Sequence, residues 1–503
     1  MHDGAVSKVA TFIGIGSILL YLSLAYRYRL PGLASALQHP LIRGSTKMAS
    51  VDLSWHPPAA SWITDLTEVV NGTGVHGFIF NSSSLPANVP YATYNWCNMP
   101  HVRREEYVVP SVDYQLEYVE LIHRHHKRTP YASNTFPQES YPWYCSDEGL
   151  FYYGQPLNPA SESAASTFWQ VYTTNSNPLT PAGFNGTCQF PQITREGLQD
   201  SYQHGKDLFG VYHDLLKFIP SEKDDTVSYR VTNNVITSQV AGMVISAMYP
   251  SPQPFPVQIQ PDSIDSLEPA YTCTAATALM GNYASGSNNT NWTLHLSATE
   301  GLFSELDAIS GVSPDNGGFH MSWDHYYDNL SARQCHSKPL PCNISNHNLC
   351  VTQQQADAVY RLGQYEYSYI YRLAPQSLPY AVASFGIWAA ELVQNIRDAI
   401  SASSSMKYRH NVAHDGSVSR LLSILQIDDM VWPGMGSEVV FEIWKKANDG
   451  KRYLRVLWGG EVLRSSNPTL GIMDMIDLDI FFSYIDGLVG RGASKVPNLC
   501  EVS

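Results

Sequence analysis

Two arginines four residues apart flank a histidine pair in the run Arg124-His125-His126-Lys127-Arg128-Thr129-Pro130. Guanidiniums do not belong bare in a core, where an unpaired charge is costly. What their planar forks match is the oxygen pattern of a tetrahedral dianion, bound bidentately. A histidine between them serves as nucleophile or general base. The run follows Tyr118-Val119-Glu120-Leu121-Ile122-His123, which reads as a buried strand, so these groups sit at a strand's C-terminal end. In open α/β sheets that edge is where ligands bind. A metal site of His123, His125 and His126 is the first alternative. The adjacent arginines would repel a divalent cation, and no Cys or carboxylate stands at ligand spacing. A solvated basic loop is the second.

A second strand-to-helix turn lies far downstream. Tyr408-Arg409-His410-Asn411-Val412-Ala413 alternates like a short strand and ends in His414-Asp415-Gly416-Ser417. A helix then opens, with Val418, Leu421, Leu422 and Leu425 at i, i+3, i+4 and i+7. Backbone amides at its start favour an anion. A histidine and a carboxylate are thus delivered to a second strand end.

The first run resembles the R-H-G-x-R-x-P signature of the histidine acid phosphatases, the larger branch of the histidine phosphatase superfamily, with His126 where glycine is usual. Tyr94-Asn95-Trp96-Cys97-Asn98-Met99-Pro100-His101-Val102 and Tyr131-Ala132-Ser133-Asn134-Thr135-Phe136-Pro137 are similar to words of fungal members. His414-Asp415 resembles the family's H-D motif, and Trp432–Glu442 and Tyr453–Leu457 continue the match. The resemblance implies phosphate monoester hydrolysis at acid pH without a cofactor or metal. It implies His125 as the nucleophile that becomes phosphohistidine, and Asp415 as the group that protonates the departing oxygen and then assists water. Arg124, Arg128 and His414 would bind the phosphate. Arg230, in Val227-Ser228-Tyr229-Arg230-Val231-Thr232-Asn233-Asn234-Val235-Ile236, is the matching candidate for a third phosphate-binding arginine. A second family arginine is replaced there by Asn234. The bland alternative is that Arg230 pairs with a carboxylate at a strand end. His126 is expected to modulate the pocket, because glycine would let backbone or substrate approach closely. Two rival readings are a spoiled, phosphoglycan-binding pseudophosphatase and a lumenal phosphatase of phosphorylated glycans.

The elements that position these groups imply an α/β fold: a mixed-sheet core flanked by helices, with a large, mainly helical cap inserted between its halves. The expected organisation is a leader and linker over 1–60, and an N-terminal extension with the first part of the core over 61–150. The cap, with segments returning to the core, follows over 151–380, and the second part of the core over 381–503. Helices are expected from Arg195, with Thr194 as N-cap and Leu198, Tyr202, Gly205, Phe209, Tyr212 and Leu216 as the packing stripe, and over Thr352–Ala374 and Leu378–Ile400.

At 503 residues, with 44% apolar and 15% charged residues, the chain is an ordinary globular protein too long for one simple core. A net charge of −14 argues against nucleic acid as a partner. Eight cysteines, none in a C-x-x-C pair, point to disulfides. Asn71, Asn81, Asn185, Asn288, Asn291, Asn329 and Asn343 are N-x-S/T acceptors for N-linked glycans. Residues 9–26 carry no charge and suit a signal anchor, or a signal peptide cleaved after Ala34-Ser35-Ala36. The expected product is a secretory-pathway protein, anchored in a membrane through 9–26 with its catalytic domain lumenal or extracellular, or secreted if cleaved. Its expected partner is a small-molecule phosphate monoester.

Overall fold

Strand β1 (Tyr114–Arg124) is the axis of the molecule, and its sequence shows why: from Tyr118 to Arg124 every residue is buried. A computed structural model describes residues 51–501 except 78–88, 252–254 and 139–185, of which last only short pieces are described. The apolar run 9–26 and the acceptors Asn81 and Asn185 lie outside the described residues. Among the described residues no helix is long and apolar enough to cross a membrane.

The remaining strands follow in order. A small pair, β2 (Tyr152–Tyr153) and β3 (Thr167–Phe168), precedes β4 (Val227–Val231) and β5 (Val257–Gln258); a second small pair, β6 (Cys342–Asn343) and β7 (Asn346–Cys350), comes next. Then come β8 (Tyr408–Ala413), β9 (Glu438–Lys446), β10 (Arg452–Trp458), β11 (Glu461–Val462) and β12 (Ile476–Asp477). Eight of them form one mixed sheet, ordered β11-β10-β9-β1-β8-β4-β5, with β12 on β10. Strand β1 runs parallel to β8 and antiparallel to β9. Its register against β8 pairs His123 with Val412 and Arg124 with Ala413. The two turns singled out in the sequence therefore leave the sheet side by side.

Helices cover both faces. Val119 and Leu121 of β1 pack in one buried cluster with Leu208, Val240 and Val244 from the helices Arg195–Phe209 and Val235–Met248. Tyr118 and Ile122, on the opposite face, join Leu392, Ile396 and Leu421 from Ser377–Ile400 and Asp415–Ile424. This is the period-2 alternation of a strand between two apolar layers. Between β5 and β8 the chain is mainly helical, as expected. Phe303, Trp323 and Tyr326 of that insertion belong to the same buried cluster as Ile122, so insertion and sheet share one core.

Thr194 caps the helix Arg195–Phe209, accepting from the Gly197 N–H. The stripe read from the sequence packs on the sheet through Leu198, Phe209, Tyr212 and Leu216, with Gly205 buried against Val244; of the six only Tyr202 is exposed. Gly197, Asp200, Ser201, His204 and Leu208 are buried as well. The helix turns polar residues inward because they have partners there. Asp200 pairs with Lys127 at 2.9 Å, both fully buried.

All eight cysteines are paired: Cys97–Cys335, Cys145–Cys188, Cys273–Cys500 and Cys342–Cys350. Such a set points to an extracellular or secretory-pathway protein. Of the glycan acceptors, Asn71, Asn288 and Asn291 are exposed. Asn329 corrects the sequence expectation: it is fully buried, donating to the Asn134 carbonyl at 3.0 Å and accepting from Arg333 at 3.1 Å. Peptide mapping after enzymatic deglycosylation of secreted protein should find modification at Asn71, Asn288 or Asn291 and none at Asn329. A glycan on Asn329 would contradict this packing.

Candidate active site

The site is built where β1 and β8 end. The backbone N–H of Arg124 donates to the Ser437 carbonyl at 2.9 Å, and that of His125 to the Ala413 carbonyl at 3.0 Å. The loop beyond is pinned: Thr129 N–H donates to Gln192 O, and Thr194 N–H to Lys127 O. Gly197 permits this approach, since a Cβ there would stand 2.0 Å from the Lys127 carbonyl oxygen.

His125 is buried, and its ring centroid lies 5.5 Å from that of His414. Its Nδ1 is 3.0 Å from the His126 carbonyl. A carbonyl only accepts, so Nδ1 carries the proton and Nε2 keeps the lone pair. Burial, then the charges of Arg128 and Arg124, hold the imidazole well below its ordinary pKa, so it stays neutral.

Arg124 is almost fully buried, and both of its terminal nitrogens are engaged. It donates to the Pro433 carbonyl at 2.6 Å, lies over the Trp96 ring at 4.6 Å, and meets Asp415 Oδ2 at 3.1 Å. Arg128 donates to Asp328 Oδ1 at 2.9 Å and stacks over Tyr131 at 4.2 Å. Asp328 also accepts from the Tyr131 N–H and the Asn134 side chain, which fixes the carboxylate from three sides. The disulfide Cys97–Cys335 joins the segment carrying Trp96 to the helix carrying Asp328, so one covalent link braces the supports of both arginines.

His414 precedes the helix Asp415–Ile424. Its Nε2 lies 2.9 Å from Thr232 Oγ1 and 3.5 Å from Glu268 Oε2. Asp415 accepts from the Trp432 indole N–H at 2.8 Å and from the Gly416 N–H at 2.8 Å. One amide of the helix start is therefore committed to the protein's own carboxylate. Burial pushes the Asp415 carboxyl up, but the Arg124 charge, the Trp432 N–H and the Arg128 charge together outweigh it and leave it below the usual range. Trp432 stacks on Tyr367 at 3.9 Å and meets Trp96 edge-on at 5.1 Å. The aromatic floor under Arg124 thus also holds Asp415.

Two sequence expectations change. Arg230 is not at the pocket with Arg124 and Arg128. Its guanidinium is spent on Glu391 at 2.9 Å and Asp265 at 3.0 Å, with further bonds to Gln260 and Ser266. It was placed by a word match, whereas its side chain leaves β4 one step before the strand end. The bland alternative, a pair with carboxylates, is what the fold contains. Asn234 caps the helix Val235–Met248 through the Ile236 N–H. His126, expected at the pocket, is fully buried with its ring turned inward, its Nε2 3.1 Å from His204 Nδ1. The ring takes the space beside Gly436 (φ +72°), where a Cβ would lie 2.3 Å from it. Glycine at 436, not at 126, provides the room.

Sequence reasoning missed Trp96, Trp432, Asp328, Glu268 and His204 as parts of the site or its supports. The two tryptophans stood in the quoted words; Asp328 and Glu268 carry no local signal.

An α/β sheet with a histidine, two arginines and a His-Asp turn at adjoining strand ends defines a class of phosphate-handling proteins. The model of the histidine phosphatase superfamily (branch 2) matches residues 115–458, and the chain belongs to that family. It is 26% identical over 385 residues to "Counting factor 60" of Dictyostelium discoideum, covering 73% of this chain and 84% of that relative. Among solved structures, a Hafnia alvei phytase in complex with tartrate is similar with a TM-score of 0.48 and 13% identity, covering 76% of this chain and 99% of its own. A Bifidobacterium longum multiple inositol polyphosphate phosphatase in complex with inositol hexasulfate gives a TM-score of 0.43 and 10% identity, covering 73% and 92%.

Removing Arg230 should unsettle Asp265 and Glu391 rather than substrate. Arg230→Gln is expected to cost stability on the order of 3 kcal/mol, as for breaking a largely buried pair, with KM for p-nitrophenyl phosphate nearly unchanged. A large rise in KM at unchanged Tm would restore the phosphate role.

Proposed function

We propose that the chain hydrolyses phosphate monoesters through a phosphohistidine on His125. The observation that carries this is the fixed tautomer of His125: the His126 carbonyl takes the Nδ1 proton and leaves the Nε2 lone pair beside Arg124, Arg128 and His414. In the proposed cycle Nε2 attacks phosphorus, the P–O bond to the leaving group breaks, and Asp415 gives that oxygen its proton. Water then attacks phosphorus, Asp415 takes the water proton, and the P–N bond breaks to free phosphate. Arg124 and Arg128 neutralise the non-bridging oxygens throughout. No step needs a metal or cofactor.

The inward turn of His126 removes the main support for a spoiled, binding-only pocket. The disulfides and the exposed acceptors Asn71, Asn288 and Asn291 support a glycosylated protein of the secretory pathway, and the uncharged run 9–26 supports a membrane anchor. A lumenal phosphatase of phosphorylated glycans fits the same location. A panel of phosphoglycans, inositol phosphates and small esters separates the substrates.

His125→Ala should abolish turnover while the protein stays folded and still binds vanadate; a variant keeping a tenth of wild-type kcat would remove His125 as nucleophile. Asp415→Asn discriminates further. An alkoxide leaves poorly without a proton, whereas p-nitrophenolate leaves largely unaided. The loss in kcat/KM should be roughly 10²–10⁴-fold for glycerol phosphate and much smaller for p-nitrophenyl phosphate. Since Asp415 must be protonated to donate, the alkyl-ester rate should fall as pH rises through its pKa in the complex. Equal losses for both esters would leave Asp415 as a mere orienting partner.

A further inference from the structure

Behind the catalytic loop, on the sheet face opposite Arg124, three imidazoles converge with no role in the chemistry above. His123 comes from β1, His126 from the loop, and His204 from the inward stripe of the helix Arg195–Phe209; all three are fully buried. We propose that His123, His126 and His204 bind one late first-row divalent cation, most simply Zn²⁺, as a structural site bracing the Arg-His-His-Lys-Arg loop.

The geometry carries this. One ligand nitrogen from each ring lies within 4.8 Å of the others. With Zn–N bonds of 2.0–2.1 Å, two tetrahedral ligands stand roughly 3.3 Å apart. His126 Nε2 and His204 Nδ1 are already 3.1 Å apart.

The proton positions agree. His123 Nδ1 faces the Arg124 carbonyl at 2.8 Å, so it holds the proton, and its Nε2 lone pair is buried without a hydrogen-bond partner. His204 Nε2 faces the Glu438 carboxylate at 3.0 Å, which leaves Nδ1 as its lone-pair nitrogen. His126 Nδ1 is likewise buried without a partner. An ion would replace the hydrogen between His126 and His204, with His126 binding through Nε2 and carrying its proton on Nδ1; no proton is gained or lost. A ligand histidine whose other nitrogen is fixed by a carboxylate or a backbone carbonyl is the usual outer arrangement of such sites. Here Glu438 and the Arg124 carbonyl supply one of each.

The neighbouring cations are turned away, Lys127 onto Asp200 and Arg124 onto Asp415. Glu438, which also accepts the Val102 N–H at 2.6 Å, holds the His204 ring in this orientation. The metal alternative weighed from the sequence chose His125 in place of His204. His125 belongs to the pocket, and His204 is 78 residues from His126 in the chain. Because the site is sealed, the ion would enter as the chain folds.

The test is elemental analysis of the full-length, disulfide-bonded protein, expressed without a polyhistidine tag in zinc-supplemented medium and dialysed against chelator. One equivalent of a single late first-row metal per chain is expected, falling to a small fraction in His204→Gln and in His123→Leu. Cobalt-substituted protein should show the intense visible bands of low-coordinate, nitrogen-ligated Co²⁺ in place of the weak bands of the aqua ion. Folded wild-type protein without metal would overturn the site, and so would full metal content in both variants. If one variant fails to fold, the other variant and the wild-type stoichiometry still decide.

Discussion

The parallel pairing of β1 with β8 is the constraint on which the rest depends. Its register brings Arg124 level with Ala413, so the Arg-His-His turn and the His-Asp turn emerge together although nearly three hundred residues separate them. A slip by one residue would send Arg124 to the opposite face and exchange it with His123. The register is held from both sides: β9 runs antiparallel along β1 from Tyr114 to His123, and β4 runs parallel along β8. Glu120, buried in the middle of β1, takes hydrogen bonds from Asn411 of β8 and Asn395, which adds a polar key to the alignment.

Given that register, the problem the fold solves is charge. Arg124 and Arg128 are both nearly fully buried, and each is matched by a carboxylate and an aromatic ring: Asp415 and Trp96 for one, Asp328 and Tyr131 for the other. A buried cation left unpaired costs several kcal/mol. The pairing keeps the guanidiniums in place before any ligand arrives, while their faces rest on rings that cannot compete for hydrogen bonds. Orientation is thus fixed in advance, which is what electrostatic stabilisation of a developing charge requires.

Much of this was legible in the sequence, and what was not has a physical reason. The two strand ends announced themselves because a strand has a simple period and its end is marked by a change of residue type. His125, Arg124, Arg128, His414 and Asp415 follow from that, and the structure brings them together. Arg230 did not follow, because a word match fixes position along the chain and not the carboxylates that other segments bring to it. His204 stands beside the packing stripe of its helix, and nothing in the periodicity singles it out. That helix buries Asp200 and His204 in addition to the stripe, because Lys127 and His126 of the loop after β1 meet them, while Tyr202 is left exposed. Polar residues turned inward leave no periodic trace, so partners that span the chain, such as Asp328 and Glu268, are invisible until the fold supplies them.

The pairing of Arg124 with Asp415 has a consequence for the proposed chemistry. In the free protein the arginine charge and the Trp432 N–H keep the Asp415 carboxyl low, and it is ionised. An arriving dianion competes for the same guanidinium. Asp415 then loses its positive partner and gains a negative neighbour, and both changes favour the protonated acid. In the proposed cycle, binding of the substrate dianion would therefore load the proton that the leaving oxygen requires, and the free site need not hold an acid that stays protonated against two arginines. Once the leaving group has gone, Asp415 is ionised again beside the phosphoenzyme and stands ready to take a proton from water. On this proposal one carboxylate can serve both steps because the arginine that holds it is the arginine for which the substrate competes.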